Sequence, residues 1–154
     1  MIDTSRSFHS VKILLEMLDA MALSKFNVLH WHLVDDDTFP MFLQKYPTLS
    51  QKASFSASEV YSIQDMKDVV DHAMKLGIRV IPEFDNPGHV RAIGNDPMFK
   101  DLVRCFNKDW PSTLPFNGPK INGGPPTGVL DPTYNLTYDL IQAIFDGFND
   151  VFPD

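Results

Sequence analysis

The feature that most constrains this chain is a change of period that occurs twice. Val11, Leu14, Leu15, Leu18 and Met21 recur at helical spacing within Ser10–Leu23, and Phe26–Leu33 then runs apolar with aromatic and β-branched residues. Downstream, Met66, Val69, Val70 and Ala73 form a second helical stripe, Gly77 stops it, and Ile78–Phe84 is a second apolar run. Ser62, with Asp65 three residues on, is a capping-box variant at the start of that helix. Met1–Asp3 reads as the tail of an earlier strand, and Tyr134–Phe148 places Leu140, Ile144 and Phe148 on one face of a last helix. The order β-α-β-α-β-loop-α predicts parallel strands wrapped by helices. Such sheets collect their functional groups just past the carboxyl ends of the strands.

Two of those ends are crowded with ionisable residues: "LHWHLVDDDTFP" (Leu29 to Pro40) and "IPEFDNPGH" (Ile81 to His89). Buried charge is costly unless it is paired or used, so these stretches point to a metal site, a catalytic site or part of one. Alternation along a strand aims His30 and His32 at one face and Trp31 at the other. His-x-His with Asp35, Asp36 or Asp37 is one way to hold a divalent ion; hydrogen-bonded histidines in the wall of the sheet are the plainer reading. Asp35 and His89 make a more specific pair. A carboxylate that accepts from one imidazole nitrogen fixes the tautomer and raises the basicity of the other. Asp36 and Asp37 read equally well as a solvated acidic turn, and Pro87-Gly88 as turn chemistry. Arg6 directly follows the first strand. Its planar fork of donors can clamp neighbouring hydroxyls of a sugar, or it is a surface arginine.

Composition narrows the partners. The chain has 154 residues, 44% of them hydrophobic, which suits one compact domain. A net charge of -7 argues against nucleic acid and anionic membranes, both of which select basic surfaces. No apolar run reaches the ~18 to 20 residues of a membrane span, and the start, Met1-Ile2-Asp3, does not read as a signal peptide. Gly94–Pro132 is rich in Pro and Gly with little periodicity, and suggests a functional loop. Cys105 is the one cysteine, so it has no internal disulfide partner. Asn135-Leu136-Thr137 is a sequon, making Asn135 a candidate glycosylation site.

Taken together, "MIDTSRSF", "LDAMALSKFNVLHWHLVDDDTFP", "VYSIQDMKDVVDHAMKLGIRVIPEFDNPGH" and "YDLIQAIFDGFNDVFPD" resemble the β-N-acetylhexosaminidases of glycoside hydrolase family 20, in their eukaryotic lysosomal and secreted branch. The resemblance implies an α/β fold: an incomplete (β/α)8 TIM barrel, with residues 1–154 supplying its first three to four β/α units and truncated at both ends. It implies removal of terminal non-reducing β-linked GlcNAc or GalNAc from glycoconjugates with retention of configuration. The substrate's own acetamido oxygen acts as nucleophile, so the family departs from the two-carboxylate scheme. No cofactor and no metal are implied. The partner is a glycan, the implied location is lysosomal or secreted, and the family allows a dimer for the full-length parent.

Carried over by motif, Arg6 matches a sugar-binding arginine, Asp35 the aspartate that pairs with the histidine matched by His89, and Asp85 an aspartate that orients Arg6 or His89. Asn86 stands where the family usually has Thr. The resemblance also implies, beyond Asp154, a "GGDE" motif whose Asp orients the acetamido group and whose Glu is the acid/base, and a disulfide partner for Cys105 further on. Neither motif residue is among these 154, so the chain alone is expected to be inactive. Two other readings stand beside this one: a sugar-binding module without catalysis, and a metal-dependent barrel hydrolase using His30 and His32.

Overall fold

The computed structural model describes residues 1–105 and 128–153. Three parallel strands, β1 (Ile2–Asp3), β2 (Val28–Val34) and β3 (Arg79–Phe84), form one sheet in the order β1-β2-β3. Helix α1 (Val11–Leu23) links the first two strands, and α2 (Pro47–Ala53) and α3 (Ile63–Lys75) lie between the second and third. A short antiparallel pair, β4 (Val103–Arg104) and β5 (Val129–Leu130), precedes α4 (Asn135–Val151).

The helix ends explain where the strands begin. Gly77 sits at φ 71°, and Ile78 N–H donates to the Ala73 carbonyl at 2.9 Å while Gly77 N–H donates to Met74 at 3.0 Å. This is a Schellman closure, and it takes Ile78 out of the strand. Lys25 plays the same part after α1 at φ 61°, with Phe26 N–H on the Met21 carbonyl at 3.0 Å. Phe26 is therefore cap rather than strand, and β2 runs from Val28 to Val34 instead of Phe26–Leu33. At the start of α3, Ser62 and Asp65 form the expected reciprocal capping box.

Alternation divides the sheet into two unlike faces. Leu29, Trp31, Leu33 and Val80 point into a core shared with Leu14 and Leu18 of α1 and Met66, Val69 and Ala73 of α3. Trp31 is fully buried; its indole N–H donates to Thr4 Oγ1 at 2.8 Å, and its ring meets Tyr61 and Phe152 edge-on. The other face carries His30, His32, Ile81 and Glu83. There Val28 and Ile81 are each 42% exposed, so this face is uncovered among the described residues. Parallel sheets are ordinarily covered on both faces.

Pro47 opens α2, because a proline in the first turn gives up only an N–H that the helix leaves unpaired. Part of Gly94–Pro132 is structured, as a 3-10 turn (Lys100–Leu102) and the β4–β5 pair, with another 3-10 turn (Arg91–Asn95) overlapping its start. Residues 106–127 of that span lie outside the described residues.

Candidate active site

Register builds the site. Asp3, His32 and Glu83 are cross-strand partners on three adjacent parallel strands, so their side chains share the uncovered face in one row. His32 sits in the middle with a carboxylate on each ring nitrogen: Nε2 is 2.7 Å from Asp35 Oδ2, and Nδ1 is 2.8 Å from Glu83 Oε2. A carboxylate can only accept, so the doubly protonated ring satisfies both contacts. Burial alone favours the neutral ring. Glu83 and Asp35 outweigh it and hold the proton affinity of His32 above the ordinary imidazole value. Burial likewise pushes Glu83 up, but His32 and then His30 bring it net below its usual range.

Asp35, one residue past β2, has a fully buried side chain that also forms an ion pair with Arg6. Arg6 reaches back to Asp3, with Nη1 donating to Oδ2 at 2.5 Å, while Asp3 Oδ1 accepts the backbone N–H groups of Ser5 at 3.1 Å and Arg6 at 3.0 Å. Burial raises Asp3, and the bonds from Arg6 more than reverse it. The Arg6 side chain remains 49% exposed, so the remaining N–H groups of its guanidinium can meet a ligand while Asp3 holds Nη1 and Asp35 holds Nη2.

Past β3, His89 adopts φ 54°, a left-handed conformation that His tolerates better than most side chains. Its Nδ1 lies 2.7 Å from Asp85 Oδ2. The sequence pairs Asp35 directly with His89. In the structure the two stand at ion-pair distance, 3.6 Å to Asp35 Oδ1, and the hydrogen bond goes to Asp85; Asp35 Oδ1 accepts the backbone N–H of Asp36, and its Oδ2 is taken by Arg6 and His32. His89 Nε2 has no hydrogen-bond partner among the described residues.

Arg6, Asp35, Asp85 and His89 thus come together at one end of the sheet. His30 and His32 do share a face, but His30 turns to Glu83. The carboxylate and imidazole groups close enough to share an ion, among the described residues, are Asp3–His32–Asp35 and Asp35–Asp85–His89; His30 belongs to neither, and Arg6 already lies against Asp3 and Asp35. Asp3 and Glu83 are the site residues that sequence reading passed over. Each stands on a strand beside a residue it singled out, but only the register shows that they flank His32. Asp154, past which the sequence reading puts the acid/base Glu and the acetamido-orienting Asp, lies outside the described residues. Asp35 and His89 therefore appear here with the carboxylates and arginine that support them, and without the expected pair. Asn135 is exposed at the start of α4, and Cys105 is exposed at φ 60°. No helix among the described residues is long and apolar enough to cross a membrane.

The chain belongs to glycosyl hydrolase family 20: the family's catalytic domain matches residues 1–154. It is similar to the β-hexosaminidase subunit beta of Mus musculus and of Homo sapiens, each 44% identical over the whole chain and covered to 26% and 25% of its own length. A β-hexosaminidase of Emericella nidulans is 42% identical, with 25% of its length covered. The chain therefore spans about a quarter of the curated relatives it matches. Among solved structures, a Flavobacterium johnsoniae chitobiase superposes with a TM-score of 0.79 at 33% identity, over 99% of this chain and 21% of that one. A family 20 β-N-acetylglucosaminidase gives 0.81 at 26% identity, over 100% and 34%.

Proposed function

We propose that this chain is one part of the (β/α)8 barrel of a retaining β-N-acetylhexosaminidase, and that Arg6, Asp35, Asp85 and His89 form one wall of its sugar pocket. The observation that carries this reading is the buried Asp35 carboxylate holding a half-exposed arginine beside the open imidazole of His89, at the carboxyl ends of parallel strands. The uncovered sheet face supports the barrel, whose interior is filled by side chains from all its strands. The names of the relatives support the substrate class.

In this mechanism Arg6 donates to neighbouring hydroxyls of the terminal sugar. Its guanidinium is already held by Asp3 and Asp35, so little orientation is lost on binding. Asp85 accepts from His89 Nδ1 and leaves Nε2 to face the acid/base glutamate. The substrate's acetamido oxygen attacks the anomeric carbon, the leaving group departs with the proton of the acid, and water later opens the cyclic intermediate from the same face. The 154 residues contain no Asp-Glu dipeptide, so in this reading the acid and the group that orients the acetamide come from beyond them, and the chain alone does not cleave. Lysosomal or secreted location and glycosylation at Asn135 belong to the same reading.

The test is hydrolysis of an aryl β-N-acetylglucosaminide by the full polypeptide that carries this chain, at acidic and neutral pH. Release of the aryl group with β-configured sugar as first product is expected. No release at either pH sinks the proposal.

A further inference from the structure

The middle of three adjacent aspartates behaves unlike its neighbours. Asp36 is 7% exposed and spends its carboxylate on backbone. Its Oδ1 accepts the N–H of Arg91 at 3.0 Å and that of Gly128 at 3.3 Å, and its Oδ2 lies 3.3 Å from Arg91 Nε. Its own carbonyl accepts the N–H of Ala92 at 3.0 Å. Two chain segments far apart in sequence thus end on one side chain at the end of β2.

The two segments also close on each other. Val90 N–H donates to the Gly128 carbonyl at 3.3 Å, and Leu130 N–H to the Pro87 carbonyl at 2.8 Å. A Cβ at Gly128 meets Val103 Cγ1 at 2.4 Å and the Arg91 backbone at 2.9 and 3.0 Å, so only glycine allows this approach. Asp37 reinforces the clasp from outside, its Oδ1 accepting from Arg91 Nη2 at 2.8 Å. Between Pro87 and Arg91 lies His89, at its left-handed φ of 54°. A non-glycine residue in that region persists only where its surroundings hold it.

We propose that Asp36 is a positioning residue: its buried carboxylate ties the turn that carries His89, and the segment at Gly128, to the end of β2, and so fixes His89 beside Asp35 and Asp85. Its kinetic consequence rests on the reading given under Proposed function. Asp36 touches no sugar and acts through the loop alone. Its burial also costs something, since it raises the carboxylate's affinity for a proton despite the amide of Arg91.

The experiment uses the full polypeptide with three variants. Asp36→Ala removes the oxygen that accepts both amides and should lower kcat about 10- to 100-fold with KM within about threefold, the signature of a misplaced group rather than lost binding. Asp36→Asn keeps an oxygen for the two amides and should recover most of that loss. Gly128→Ala presses on the Arg91 backbone from the other side and should lower kcat in the same way, which keeps the test alive if Asp36→Ala does not fold. Amide hydrogen exchange at residues 89–91 gives a readout independent of any substrate. It should rise about tenfold or more in Asp36→Ala and Gly128→Ala, and little in Asp36→Asn. Unchanged exchange in Asp36→Ala, an Asp36→Asn as impaired as Asp36→Ala, or a loss confined to KM overturns the proposal. A wild-type protein inert on the aryl glycoside with exchange as expected leaves the clasp standing and overturns the functional reading instead.

Discussion

The ends of β2 and β3 are both acidic, both carry histidine, and differ in how much of their chemistry is already spent. Past β2, Asp35 is fully buried with Arg6 and His32 on it, and the His32 side chain is only 6% exposed. Past β3, Asp85 and His89 are 32% and 44% exposed at the side chain, and His89 has a ring nitrogen to spare among the described residues. The first end is a frame whose charges cancel internally. The second presents an oriented imidazole outward. Charges inside a frame set geometry and stability, whereas an open imidazole backed by a carboxylate is placed to act on something else.

That contrast is broken most severely at Asp35. Asp35→Ala leaves Arg6 and His32 without their shared acceptor, and removing one partner of a buried pair costs ~3–5 kcal/mol. Denaturant unfolding should show that loss, together with near-complete loss of turnover in the full polypeptide. His89→Ala separates the two ends: turnover should fall by ~10² to 10⁴, while the melting temperature moves little because the side chain is half exposed. An equal loss of stability in both variants refutes the distinction. Arg6→Ala should act on recognition, raising KM for the aryl glycoside about 10- to 100-fold, the equivalent of a lost charged hydrogen bond, with a smaller change in kcat.

The gentlest probe is pH. His32 binds its proton more tightly folded than unfolded, so its contribution to stability is complete below its ordinary 6.5 and is lost as pH rises through the higher folded value. Glu83, held below its ordinary 4.5, contributes above that value and loses it as pH falls through its lower folded one. Asp3, held below 3.8, does the same. Asp36, pushed above 3.8, opposes them and weakens stability as pH rises through its folded value. Melting temperature should therefore be highest between 4.5 and 6.5 and decline on both sides. In Glu83→Gln the decline above 6.5 should flatten, since His32 loses one of its two carboxylates.

Much of the frame was legible in the sequence. The periods of α1, α3 and α4, the capping box at Ser62 and the two apolar runs follow from local chemistry, and the structure differs there only at element ends. The later starts of β2 and β3 have one cause: helix-closing bonds capture Phe26 and Ile78 before the strands begin. Helix α2 has seven residues and opens on Pro47, so it carries too little periodicity to be read from the sequence. In the site, the motif residues Arg6, Asp35, Asp85 and His89 could be named, but not Asp3, which holds Arg6, nor Glu83, which holds His32. Glu83 reaches His32 because β2 and β3 pair in parallel with His32 opposite Glu83, and no local pattern fixes that register. Asp36 was indistinguishable from a solvated turn, because the amides that occupy it belong to residues 55 and 92 positions away.

The most direct test is the crystal structure of the full polypeptide soaked with N-acetylglucosamine. The account places the sugar at the carboxyl ends of β1–β3, with Arg6 within hydrogen-bond distance of its hydroxyls, Asp35 still bound to Arg6 and His32, and His89 Nε2 directed toward an acidic residue from outside these 154. A sugar bound elsewhere, or one that leaves Arg6 and His89 untouched, contradicts it.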